Sequence, residues 1–299
     1  MVQIEGIVPV VPTPFDDHGR IDEEGLRKLV DFCVDGGACA ICLPAYVGEF
    51  YKLSEHERCE VVRIAVEQSS SRIPVIGQAN HPSSKVALDL AHRMEASGVS
   101  MISMAAPRIF ALSEDDLLRY FRTVCQSISA PLLIQDFNPG GVTVGADFAK
   151  RLHADCPNFR YLKLEEPMMS AKVQSILEAT GGEIGVLEGW GGLYMMELIP
   201  SGICGVMPGV PLLRVLNEVY WKSKRGEKEG AYAAYQSVLP FIVFTLEHLE
   251  LYLHVEKQLL KAMGLIASAH VRDATIQLDS HTQVYAEWLI GQVLPLVRS

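Results

Sequence analysis

From Gly6 to about Gly226, eight short apolar runs alternate with longer amphipathic stretches. The runs cover residues 7–11, 38–43, 73–77, 99–104, 132–135, 159–164, 184–187 and 203–207. They are rich in Ile, Val and Leu and rarely alternate with polar residues, the pattern of strands buried on both faces of a parallel sheet. Helix-start signals lie between them. Asp22-Glu23-Glu24 precedes Leu26, Leu29 and Val30, Ser54-Glu55-His56-Glu57 forms a capping box, and Ser83 and Ser113 open two further helices. Gly36-Gly37 and Ser97-Gly98 supply stops. About eight strand–helix units in roughly 225 residues match the size of a (β/α)8 barrel. The rival, a doubly wound sheet, lacks its glycine fingerprint: Pro9, Pro12 and Pro14 occupy the first strand and its exit, where G-x-G-x-x-G is required. Residues 227–244, 247–263 and 280–297 carry helical stripes without strand signals. The expected fold is therefore an α/β chain, a (β/α)8 TIM barrel over residues 1–226, with a C-terminal three-helix appendix over 227–299 packed on it.

Composition removes other classes. A net charge of -10 and a pI near 5.4, with no Lys/Arg cluster, leave no electrostatic footprint for nucleic acid. No uninterrupted apolar run approaches the ~18 residues of a membrane span, and the first twelve residues carry Glu5 and no basic segment, so no signal peptide is expected. Seven scattered cysteines include no zinc-ribbon pairing of Cys39 and Cys42 with a second pair. No metal site is expected, and a reducing cytoplasm is the expected location.

In such a barrel the chemistry sits at the C-terminal ends of the strands. Tyr161-Leu162-Lys163-Leu164-Glu165 places a lysine inside an apolar run, with Tyr161, Lys163 and Glu165 on one face by alternation. Facing the interior, Lys163 is a desolvated amine, and a neutral amine adds to ketones. The spacing alone equally allows a lysine that snorkels to solvent or pairs with Glu165 or Glu166.

Three segments break the tie. Gly6-Ile7-Val8-Pro9-Val10-Val11-Pro12-Thr13-Pro14-Phe15, Gly48-Glu49-Phe50-Tyr51-Lys52-Leu53-Ser54-Glu55-His56-Glu57-Arg58 and the strand lysine Lys163 occur in order. Together with Gly202-Ile203-Cys204-Gly205-Val206-Met207-Pro208 and the helical tail, they resemble the dihydrodipicolinate synthase / N-acetylneuraminate lyase family of Schiff-base lyases over nearly the whole chain. The resemblance implies a barrel that holds pyruvate or another 2-oxo acid as an imine on Lys163, without a metal or organic cofactor, in a homotetramer.

The chain also departs from the family pattern. Gln135, in Leu133-Ile134-Gln135-Asp136-Phe137-Asn138, stands where family lyases carry a proton-relaying tyrosine, and an amide has no usable pKa for that work. The Gly-Thr-Thr-Gly-Glu loop of the family, which holds the carboxylate of the 2-oxo acid, reads Ala45-Tyr46-Val47-Gly48-Glu49. Pro107-Arg108-Ile109 replaces the Pro-Tyr-Tyr of the synthase branch, and Gly140 roughly replaces its second-substrate arginine. Gln135-Asp136 with Lys163-Leu164-Glu165 looks more like the branch that includes 2-oxo-3-deoxy sugar-acid dehydratases.

The expected catalytic set is Lys163 as the imine nucleophile, with Tyr46 or Glu165 as proton relay; a phenol beside an iminium charge has a lowered pKa. Val47, Arg108, Gln135, Gly189 and Val206 are the candidate substrate contacts, Arg108 as a bidentate clamp on a carboxylate. Gly189-Trp190-Gly191-Gly192 suggests close backbone approach to the ligand; His81 and Glu49 are assigned to loop structure. The leading function is an aldolase or dehydratase acting on pyruvate or a 2-oxo(-3-deoxy) acid. The alternatives are dihydrodipicolinate synthase proper and a non-catalytic oxo-acid-binding barrel.

Overall fold

The computed structural model describes residues 3–138 and 141–298. Eight parallel strands form one sheet in the order β1-β8-β7-β6-β5-β4-β3-β2: β1 (Gly6–Ile7), β2 (Ile41–Leu43), β3 (Val75–Gln78), β4 (Met101–Ala105), β5 (Leu132–Phe137), β6 (Phe159–Glu165), β7 (Gly185–Glu188) and β8 (Gly205–Val206). Hydrogen bonds from Cys39 N to Ile7 O, Cys42 N to Pro9 O and Val11 N to Cys42 O close β1 onto β2, so the sheet is a barrel. The first strand is shorter than the apolar run because Pro9 has no N–H to give to a ladder. Beyond it only a bridge remains, from Val10 to Cys42 and Gly209.

Helices α1 (Glu23–Asp35), α2 (Glu55–Ser69), α3 (Ser84–Ala96), α4 (Glu114–Cys125), α5 (Ala146–Asp155), α6 (Ser170–Ala179), α7 (Met195–Leu198) and α8 (Leu213–Lys224) follow the strands. Their starts follow the local chemistry. Asp22 accepts from Gly25 N at 3.0 Å, and Ser54 and Glu57 cap each other reciprocally, as do Ser113 and Asp116. Ser83 departs from that pattern. Its side chain makes no cap bond, and its N–H donates instead to His81 Nδ1 at 2.9 Å.

Alternation along the strands produces two cores. Residues such as Ile102, Ile134, Leu162 and Val206 face the helices, whereas Val8, Cys42, Ile76, Leu133, Tyr161 and Leu187 fill the barrel. Each is a continuous buried cluster, as the layered filling of such barrels requires. The tail forms α9 (Lys228–Thr245), α10 (Leu249–Ala262) and α11 (Ser280–Val297), and its apolar side chains, including Val238, Leu259 and Val293, belong to the outer core of the barrel. Among the described residues, no helix is long and apolar enough to cross a membrane.

Charge fastens the tail to the loop after β2. Glu49, fully buried with a left-handed backbone at φ 56°, meets the ammonium groups of Lys257 and of Lys52, the latter at 3.2 Å, and accepts Arg272 N at 3.1 Å. It fastens its loop as expected, holding Lys52 of that loop together with the Lys257 ammonium and the Arg272 N–H of the appendix. Lys257 also gives a hydrogen bond to His270 O at 2.9 Å, while the Arg272 guanidinium binds Glu57 at 2.5 Å and Gly19 O at 2.8 Å. Removing one partner of a buried pair leaves the other uncompensated. Lys257→Ala should lower the unfolding free energy in urea by about 3 kcal/mol, the lower end for such pairs because Lys52 still faces Glu49. A loss below about 1 kcal/mol would show that Lys52 and Arg272 hold the loop unaided.

Candidate active site

The strand registers stack three layers toward the C-terminal mouth of the barrel. Leu133 pairs with Tyr161, Gln135 with Lys163, and Phe137 with Glu165, so an apolar layer underlies a polar one. Lys163 is 5% exposed, and its Nζ lies 3.1 Å from Glu165 Oε1. The alternation that put the lysine inside also supplied its counter-charge, one strand repeat along. Gln135 donates through Nε2 to the same Glu165 oxygen at 2.5 Å, and its Oε1 accepts from Gln78 Nε2 at 2.7 Å. Four strand-end residues, Gln78, Gln135, Glu165 and Lys163, thus form a buried polar chain from β3 to β6. Burial pushes the Glu165 carboxyl above its ordinary pKa, against the opposing pull of Lys163 and of the Gln135 hydrogen bond.

Gly189, the first residue past β7, has no room for a side chain. A Cβ there would lie 2.5 Å from Glu165 Cγ and 2.9 Å from Lys163 Cε. The close backbone approach expected of this segment is therefore made to the ion pair itself. Glu188, fully buried beside it, takes the N–H groups of Trp190 at 3.1 Å and Gly192 at 2.9 Å, which fixes the loop. Burial raises its carboxyl to about 7.

A cavity of about 910 Å³ opens above this chain of groups. Tyr46, Val47, Gln135, Lys163, Glu165 and Gly189 all line it, together with Phe137, Trp190 and Met207. Leu246, His248, Leu249 and Tyr252 of the appendix complete the wall. The Tyr46 ring packs edge-on against Phe50 and Phe137 at 5.1 and 5.3 Å. Its phenol is pushed up to about 12, by burial first and then by the Glu165 and Asp136 carboxylates. The lowering expected beside an iminium charge is absent in the free protein, where burial first and then two carboxylates act the other way.

Two expected contacts lie elsewhere. Val206 is directed into the helix-facing core, and its neighbour Met207 reaches the cavity, since a strand shows successive side chains to opposite faces. Arg108 grips Asp136 through Nε–Oδ1 at 2.9 Å and Nη2–Oδ2 at 2.6 Å, and Asp136 also accepts Val144 N at 2.7 Å. It is a bidentate clamp, but its carboxylate belongs to the protein and it does not line the cavity. Ile109 stands in solvent, and Gly140 lies outside the described residues. His81 serves its loop, its carbonyl accepting from Tyr120 OH at 2.7 Å. Sequence reasoning missed Gln78, Phe137, Met207 and the whole appendix wall. Alternation from Gln135 and along β8 was the available signal for Phe137 and Met207.

A buried lysine–carboxylate pair thus stands at the C-terminal mouth of a (β/α)8 barrel, the end at which such barrels carry their active sites. The chain belongs to the dihydrodipicolinate synthetase family, whose model matches residues 3–292. It is a class I lyase. Over 296 residues it is 27% identical to the L-2-keto-3-deoxyarabonate dehydratase of Azospirillum brasilense, covering 98% of this chain and 95% of that protein. It is 28% identical over 207 residues to the 4-hydroxy-tetrahydrodipicolinate synthase of Nitratidesulfovibrio vulgaris, covering 69% of this chain and 70% of the relative. The crystal structure of the dihydrodipicolinate synthase from Rhodopseudomonas palustris shares the fold, with a TM-score of 0.89 at 24% identity and 97% of both chains covered.

One helical turn beyond Tyr252 on α10, Glu256 is fully buried, with Oε1 accepting Val210 N at 3.1 Å and burial raising its carboxyl to about 8. The unfolded chain releases this proton near 4.5, whereas the folded chain keeps it to about 8. Stability from this group is therefore full below about pH 4.5 and is lost as pH rises toward 8. Glu256→Gln should lose less unfolding free energy between pH 5 and 8 than the unaltered protein. Equal losses would show that the carboxyl titrates alike in both states.

Proposed function

We propose that Lys163 condenses with the carbonyl of a 2-oxo acid and that the resulting iminium draws electrons from C3 for aldol cleavage or dehydration. The observation that carries this reading is the 3.1 Å contact of a buried strand lysine with a buried carboxylate. Addition to a ketone needs the amine without its extra proton, and Glu165 is the adjacent group whose raised pKa suits it to receive one. With the imine on Lys163, Glu165 would be the adjacent carboxylate to take a proton from C3 or return it. Departure of a carbon fragment at C4 is aldol cleavage; departure of hydroxide from C4 is dehydration.

The carboxylate of the substrate would meet the loop of Tyr46 and Val47, whose backbone N–H groups have no acceptor among the described residues. The high phenol pKa makes Tyr46 a donor rather than a base, fitted to protonate a departing oxygen. Gln135 would hold Glu165 without moving protons itself. The name of the 27%-identical relative, a dehydratase of a 2-keto-3-deoxy sugar acid, supports dehydration as one outcome. Against the synthase reading stands the cavity wall, where Lys163 is the sole lysine or arginine among the described residues.

A homotetramer in the cytoplasm completes the proposal. Val284, Tyr285 and Trp288 form an exposed apolar face on α11, the kind of surface that a second copy would cover, and all seven cysteines are thiols, as a reducing compartment favours. One solved structure of this fold is described as the first monomeric dihydrodipicolinate synthase variant, so sedimentation is the deciding measurement.

Borohydride reduction in the presence of pyruvate should add one reduced pyruvate to Lys163, read by peptide mass. Undiminished labelling of a Lys163→Ala variant would overturn the assignment. Tyr46→Phe should cost about 10²–10⁴-fold in turnover while trapping persists. If Glu165→Gln abolishes turnover and Tyr46→Phe spares it, the carboxylate alone relays protons.

A further inference from the structure

We propose that the cavity takes a 2-oxo acid whose tail carries hydroxyl groups and no second anion, and that Trp190, Glu247 and His248 are the residues that read this tail. The proposal rests on the lysine-imine reading above and deepens it by naming the class of acid.

Size comes first. A cavity of about 910 Å³ lies near the top of the range that encloses drug-sized ligands, whereas pyruvate has only six non-hydrogen atoms. Most of the space therefore serves a tail. Lys163 and Glu165 are engaged at the reacting carbons, so other groups must recognise that tail.

Three polar side chains of the lining are unspent. The Trp190 indole Nε1 is buried and has no acceptor among the described residues. His248 caps α10, its Nδ1 accepting Glu250 N at 3.1 Å. Accepting at Nδ1 leaves the proton of the neutral ring on Nε2, a second donor without an acceptor among the described residues. The Glu247 carboxylate, beside it in the α9–α10 turn, makes no hydrogen bond or ion pair among the described residues. Other polar groups of the lining are taken. Glu166 holds Thr143 and Lys172, and the Thr245 hydroxyl turns back to Phe241 O and Ile242 O.

Two donors and one charged acceptor suit a group that both accepts and donates, and a hydroxyl does both. A tail with two hydroxyls can accept from the Trp190 and His248 N–H groups and donate to Glu247. A carboxylate or phosphate only accepts. It leaves Glu247 without a donor and sets a like charge beside it, which is a repulsive element of specificity. Among the described residues no lysine or arginine besides Lys163 lines the cavity to offset that charge, and the Lys163 nitrogen is taken by the imine. A wholly apolar tail answers none of the three groups and displaces their water, which is costly.

The test loads the full chain with one of three acids: 2-dehydro-3-deoxygluconate, the diacid of the same configuration whose terminal CH2OH is a carboxylate, or 2-oxohexanoate. The Lys163 amine bonds to C2 with loss of water, and borohydride then delivers hydride to C2. Peptide mass at Lys163, read across concentration, gives a half-saturating value for each acid. The value for the hydroxylated monoacid should lie at least about tenfold below either of the others. Glu247→Arg should bring the diacid to parity or better, and Trp190→Phe should narrow the gap to 2-oxohexanoate. A diacid or 2-oxohexanoate that traps as well as the hydroxylated monoacid overturns the proposal, as does an unchanged ratio in either variant. Absence of any adduct on Lys163, with pyruvate as well, overturns the lysine reading itself.

Discussion

Two opposite charges inside a barrel core set the terms for everything around them. Taking a lysine and a glutamate out of water costs several kcal/mol per ion unless geometry and further hydrogen bonds compensate. Here Lys163 and Glu165 share one strand face, Gln135 donates to Glu165 from the adjacent strand, and Gln78 holds the Gln135 amide in the orientation that does so. Gly189 is the steric counterpart. Any β-carbon at that position would displace both members of the pair. In the proposed reaction that cost is met because the proton of the pair has work to do, as in other clefts that hold a perturbed carboxyl.

The appendix has a comparable part in the design. Lys257 and Arg272 reach from the tail to Glu49 and Glu57, and so brace the loop that carries Tyr46 and Val47. Both cations also lie over the Phe15 ring, 4.3 Å from its centroid, which ties the exit of the first strand into the same knot. Across the cavity, Leu246 to Tyr252 supply the roof. A barrel without this tail would keep Lys163 and Glu165 and lose both the brace of one wall and the whole of another.

The strands were legible because burial on both faces leaves an unmistakable run of Ile, Val and Leu, and the capping signals at Asp22, Ser54 and Ser113 act locally. Lys163 was legible for the same reason, as a charge in an apolar run. What escaped were contacts set by long-range geometry. Arg108 reads as an available cation until the fold brings Asp136 against it, and Val206 reads as a mouth residue until the register turns Met207 inward instead. The direction of the Tyr46 shift likewise comes from the fold, which first buries the ring and then sets carboxylates near it. The sequence shows the phenol, but only the fold shows Glu165 and Asp136 near it.

The cavity draws its floor from the strands and its roof from α9 and α10, so the two halves of its chemistry are written in separate stretches of the gene. The residues of the proposed bond making lie between Tyr46 and Gly189, whereas the roof of the cavity is encoded after residue 244. Substitutions in the α9–α10 turn can retailor which molecules enter while the proton-handling strand ends stay untouched. Divergence in such a chain has an inexpensive route: a new diet without a new mechanism.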